Sequence, residues 1–119
     1  MHLLANLIAA LVLLIHVYIV LLETVLFKTR GRKVFGISRE QADNLASLMS
    51  NQGCYNGFLV AALALGFAYP DPVIAKAFLV FGLACVAVAG LWGASTVMTR
   101  ILYIQTVPAA AALLALFVA

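Results

Sequence analysis

The chain has 119 residues, of which 66% are hydrophobic and 9% charged, whereas a soluble domain carries roughly 25% charged residues. With 7 Lys and Arg and 4 Asp and Glu there is too little charge to cover a water-facing surface, so composition excludes a soluble globule and implies hydrocarbon as the solvent. The net charge of +3 is small and concentrated in one connection, which makes it a membrane-orientation signal rather than a nucleic-acid footprint.

The first segment, about residues 3–27, is broken by polar groups only at Asn6, His16, Tyr18, Glu23 and Thr24, and is long enough to cross about 30 Å of hydrocarbon as a helix. It lacks the basic start, short apolar run and small-residue cleavage site of a signal peptide, so retention is expected. Residues 28–39 follow as the one strongly polar connection. They hold Lys28, Arg30, Arg32, Lys33 and Arg39, five of the 7 basic residues, and the two glycines there predict a loop.

Ser38 followed by Gln41 fits a capping box, so a second helix is expected to begin there. It runs without internal proline to Tyr69, roughly 45 Å at 1.5 Å per residue, which is longer than one hydrocarbon thickness. Its membrane part is placed at about 50–69 and its first turns are expected to project into the cytoplasm. There Leu45, Leu48, Met49 and Gln52 share a face that can pack or lie at the interface. Pro70-Asp71-Pro72 forces a turn into a third span at about 73–98, and a fourth occupies 101–119. Pro108 removes one backbone hydrogen bond and is expected to disturb the fourth helix near Ile104.

The expected fold class is therefore all-α: a polytopic membrane protein forming one domain over residues 1–119, a four-transmembrane-helix bundle with its second helix extended into the cytoplasm. Loops one and three hold Lys28, Arg30, Arg32, Lys33, Arg39 and Arg100, against Lys76 near loop two. The excess of basic residues places loops one and three in the cytoplasm of a cell membrane and both termini on the other side.

Helical rise sets the depth of the polar residues within the spans. Glu23 and Gln105 each lie five residues from a basic boundary residue, about 7 Å inside. Thr96 lies four residues before Arg100, Asn51 and Gln52 fall at the cytoplasmic edge, and Tyr55 and Asn56 are one turn deeper. These seven residues are expected to surround one polar site in the cytoplasmic leaflet. His16, about 10 Å deeper and on nearly the same helix face as Glu23, would line its floor.

Glu23 reads as a proton carrier or general acid/base, or more simply as a carboxylate that reaches the headgroups and pairs with Arg30 or Arg32. His16 reads as an acid/base partner or as a neutral histidine bonded to a neighbouring helix. The run from Asn51 to Gly57 reads as a binding surface or as helix-packing glue, with Gln52 and Asn56 sharing one face and Gly53 and Gly57 forming a small-xxx-small pair. Trp92, with Thr96 on one face of the third span, is a packing residue or an aromatic wall of the pocket. Cys54 and Cys85 lie at different depths and predict neither a disulfide nor a metal site. No cofactor, metal or nucleic-acid partner is expected.

Several segments resemble one known family. They are His16-Val-Tyr-Ile-Val-Leu-Leu-Glu23, Thr29 to Gly36, Asn51-Gln-Gly-Cys-Tyr-Asn-Gly-Phe58, Gly90-Leu-Trp-Gly-Ala-Ser-Thr96, Gln105 and Pro108-Ala109. On these the chain resembles the small bacterial integral membrane proteins of the domain of unknown function 1304 family, over nearly its whole length. It departs from that pattern at Phe27, Cys54, Trp92 and Thr106. The resemblance implies a four-helix protein of the bacterial inner membrane and no particular activity.

Three functions remain open on the sequence. In the first, Glu23, with His16 as a second acid/base group, binds and transforms a lipophilic small molecule whose polar end is fixed by Asn51, Gln52, Tyr55, Asn56 and Gln105 beside Trp92 and Thr96. In the second, the chain is a proton-coupled exporter, similar in outline to the small multidrug-resistance transporters. In the third it is a structural or accessory subunit. Partners are membrane lipids and the lipophilic ligand, and the small-residue faces allow a homo-oligomer.

Overall fold

A computed structural model describes residues 2–118, so Ala119 at the end of the expected fourth span lies outside the described residues. The chain is all-α, 90% helical, with no strand among the described residues. The helices are α1 (His2–Glu23), α2 (Arg32–Phe35), α3 (Arg39–Ala68), α4 (Pro72–Thr96) and α5 (Val107–Val118), with π turns at Phe27–Gly31 and Leu102–Thr106.

By length and composition two helices can cross a membrane, Leu3–Glu23 and Pro72–Thr96. The expectation of four spans is thus met in two. The apolar part of α3, Gly57 to Ala68, would cover only about 18 Å because its amino-terminal half is polar. Leu102–Val118 is apolar but also short, about 25 Å.

The chain divides into two compact units, one of Met1–Ile15 with Leu59–Ala119 and the other His16–Phe58. In the first, one cluster of buried side chains joins Ala5, Ala9 and Val12 of α1, Leu63 of α3, Leu79, Leu83 and Val86 of α4, and Ala109, Ala112 and Leu116 of α5. The spacings of three and four residues put each set on one helix face. Asp71 caps α4: its Oδ1 accepts the backbone N–H of Val73 at 2.8 Å and of Ile74 at 3.2 Å, and Pro72 sits at the first helical position, where no donor is needed. The disturbance expected from Pro108 takes the form of the π turn before α5, in which the Val107 N–H donates to the Leu102 carbonyl.

In the second unit α1 ends at Glu23 and the chain stays helical through most of the basic connection, which corrects the expected loop. Leu26 N–H donates to the Leu21 carbonyl at 2.9 Å and Gly31 N–H to the Leu26 carbonyl at 2.7 Å, both five residues back. Gly31 is what this wider turn requires. A Cβ there would lie 3.1 Å from the Leu26 carbonyl oxygen and would collide with that of Leu22. Phe27 is buried, its ring 6.1 Å from that of Phe35.

The capping box opens α3 as expected. Gln41 N–H donates to Ser38 Oγ at 3.1 Å and Ser38 N–H to Gln41 Oε1 at 2.9 Å.

Candidate functional site: the Glu23–Asn56 pair

Glu23 closes the last turn of α1 and is 6% exposed; Asn56, 7% exposed, sits in the middle of α3. The Asn56 side-chain N–H donates to Glu23 Oε1 at 2.6 Å, joining residues that are 33 apart in sequence. The contact depends on a close approach one turn earlier on α3. A Cβ on Gly53 would lie 2.5 Å from Thr24 Cγ2 and 3.2 Å from Glu23 Cβ. Thr24 is held in place by its own hydroxyl, which donates to the Val20 carbonyl at 2.6 Å.

The buried face of α3 in this unit therefore runs through Gly53 and Asn56, three residues apart, while Gln52 is exposed. The sequence pattern pairs Gln52 with Asn56 at a spacing of four. A helix permits both spacings, and the approach of Gly53 to Thr24 selects the first. Gly57, the second member of the expected small-residue pair, faces open space: a Cβ added there would meet nothing within 4 Å.

The other expected site residues are placed as follows. Asn51, Gln52 and Tyr55 are exposed on α3, and the Tyr55 ring meets Phe58 edge-on at 5.6 Å. His16, two turns before Glu23 on α1, is completely buried and has a partner of its own. In the first unit Trp92 and Thr96 are exposed on α4, and the Thr96 hydroxyl is turned back to the Trp92 carbonyl at 2.7 Å. Gln105, within the second π turn, is half-buried and also has a partner. Of the seven polar residues expected to meet at one level, the structure joins Glu23 and Asn56 by a direct bond.

Two features carry no clear signal in the sequence. Thr106 donates its hydroxyl to the Ala87 carbonyl at 2.9 Å, tying the π turn to α4. Arg30 donates to the Tyr18 hydroxyl, with its guanidinium 5.7 Å from the ring centre, so it turns back along α1 rather than pairing with Glu23. The i, i+12 separation gives no local signal for this contact; only the π turn makes it.

Among the described residues no group of three or more His, Cys, Asp or Glu could hold a metal ion, and both cysteines are free. The chemistry available is that of a buried carboxyl whose Oε1 is engaged by the Asn56 amide. Such a group can accept or release a proton or bind a hydroxyl.

No curated protein and no solved structure is similar to this chain. A family model described as "Protein of unknown function (DUF1304)" matches residues 10–117, and since it covers nearly the whole sequence, the chain belongs to that family.

Proposed function

We propose that this chain is a four-span integral membrane protein that binds a lipophilic small molecule and exchanges a proton with it at Glu23. The observation that carries the reading is the buried carboxyl of Glu23, held by Asn56 at 2.6 Å at the end of a helix long and apolar enough to cross a membrane. A carboxyl is costly there and needs a chemical or structural reason. Asn56 engages Oε1, and Oε2 is the oxygen offered to a ligand. Asn51, Gln52 and Tyr55, exposed on α3, are available to its polar end, and His16 is a second proton-exchanging group on the same helix.

The membrane reading is supported by where the apolar side chains lie. Only 22% and 28% of the most apolar stretches of the two long helices are buried, which is the reverse of a soluble core helix. The basic cluster at residues 28–39 and Arg100 orient loops one and three to the cytoplasm.

The test compares the full chain with Glu23→Gln, each purified in mild detergent, by mass spectrometry of the lipophilic molecules that copurify. A species enriched with the native chain and lost from a folded Glu23→Gln variant is the expected result. Identical copurifying profiles refute it. A Glu23-dependent proton flux in liposomes without a bound molecule would point instead to export.

A further inference from the structure

We propose that the basic connection forms a phosphate-binding cleft, filled by the headgroup phosphate of an anionic phospholipid. Lys28, Thr29, Arg32, Lys33, Arg39 and Asp43 line a cleft of about 340 Å³, all within the second unit. That volume falls in the range of roughly 300–1,000 Å³ of ligand-sized clefts. Four cations and one carboxylate face it.

Orienting a membrane protein requires only an excess of basic residues in the loop; it does not require them to converge. Here they do, because residues 27–35 are helical rather than irregular. Lys28 and Arg32, four apart, come to one side, and the capped start of α3 presents Arg39 and Asp43, also four apart, on one face.

The fifth basic residue of the run is excluded. Arg30 is turned away to the Tyr18 hydroxyl and ring and does not line the cleft. The geometry thus sorts chemically equivalent neighbours into four that face the space and one that does not.

Among the described residues the only ion pair in the cleft is Lys28 Nζ to Asp43 Oδ1 at 3.5 Å, with both side chains well exposed. An exposed pair of that kind contributes little, so a phosphate can replace the Asp43 carboxylate on Lys28 at small cost. Arg32 and Arg39 supply planar N–H forks suited to two phosphate oxygens, and Lys28 and Lys33 supply point charges. A phosphate on a lipid is favoured over one in solution because Lys28 lies only five residues beyond Glu23, the end of an apolar spanning helix. This choice of source rests on the membrane reading above.

The test uses the full chain in neutral detergent. Native mass spectrometry counts retained phosphatidylglycerol against phosphatidylcholine of the same acyl chains, with inorganic phosphate as a second probe. Phosphatidylglycerol should be retained preferentially. Arg32→Gln and Arg39→Gln should each weaken retention about fivefold, the equivalent of about 1 kcal/mol per basic group near an anionic surface. Arg30→Gln, an identical change of charge outside the cleft, should leave retention unchanged, and Asp43→Asn should strengthen it, a gain that misfolding cannot mimic.

Equal retention of the two lipids overturns the proposal, as does a loss with Arg30→Gln equal to that with Arg32→Gln. Binding of inorganic phosphate without retention of phosphatidylglycerol overturns the lipid source and keeps the phosphate site. A chain that stays soluble without detergent overturns the membrane reading and the lipid source with it, and leaves the inorganic phosphate measurement as the test of the cleft.

Discussion

The Glu23–Asn56 contact can be measured by a double-mutant cycle. Asn56→Leu strips the carboxyl of its donor, and Glu23→Met leaves the Asn56 amide buried without an acceptor. Each residue is less than a tenth exposed, so water is a poor replacement for the missing partner. Each single variant should therefore lose about 1–3 kcal/mol, the desolvation cost of a buried polar group left unpaired. The double variant places two apolar side chains of similar volume against each other and should lose much less, because removing both partners removes the orphaned group as well.

The environment sets the size of the coupling. Hydrogen bonds between helices within membranes average about 0.6 kcal/mol and reach about 1.7. A 2.6 Å bond to a carboxyl belongs at the upper end of that range, so each single loss should fall at the lower end of its range, about 1 kcal/mol, and a coupling of about 1–2 kcal/mol is expected. The assay is reversible unfolding of the full chain in mixed micelles by titration with sodium dodecyl sulfate. It is followed by helical circular dichroism and, independently, by fluorescence of Trp92, the single tryptophan. Additivity of the two single variants within about 0.5 kcal/mol, or a double variant less stable than both, would refute the pairing and with it the basis for a positioned carboxyl.

Gly53 and Gly57 of α3 should respond in opposite directions to the same substitution. Gly53→Ala forces a methyl against Thr24, whose hydroxyl is already committed, and should cost about 1–3 kcal/mol in the same unfolding assay. Gly57→Ala meets open space and should gain about 0.5–1 kcal/mol through helix propensity. Asp71→Ala removes the cap of α4 and should lose about 1 kcal/mol, while Asp71→Asn, which keeps an accepting oxygen, should stay near the native value. Thr106→Val keeps the shape but loses the bond to the Ala87 carbonyl, and unfolding should report a loss of about 0.5–1.5 kcal/mol.

What the sequence revealed was mostly local. The capping box at Ser38 and Gln41, the Pro70-Asp71-Pro72 turn and the break ahead of Pro108 each depend on backbone groups within a few residues, and each is present. The helical basic connection was hidden because glycine marks both loops and close approaches. Gly31 belongs to the second kind, and the carbonyls of Leu22 and Leu26 that require it become neighbours only once the π turn exists. The choice of Asn56 rather than Gln52 as the buried amide was hidden for a similar reason, since it depends on Thr24 of another segment. Depth alone placed Glu23 and Asn56 at one level, but depth says nothing about rotation, and Asn51, Gln52 and Tyr55 at nearly the same depth face outward.

The distribution of apolar side chains argues for hydrocarbon more strongly than composition does. On α1 the buried positions include Ala5, Ala9 and Val12, while Leu3, Leu7, Leu11 and Leu14 are each more than half exposed. Burying a leucine in a soluble protein contributes about 1.5–3 kcal/mol, so this arrangement would forgo about 6–12 kcal/mol on one helix, as much as the whole stability of a typical domain. A monomer in water gains nothing by placing alanine inside and leucine outside. In lipid the choice costs nothing, because acyl chains solvate leucine as well as a protein core does, and small side chains let helices approach closely. The same argument raises the standing of the Glu23–Asn56 bond. Once apolar burial no longer drives helices together, a single directional contact between α1 and α3 weighs heavily in how they pair.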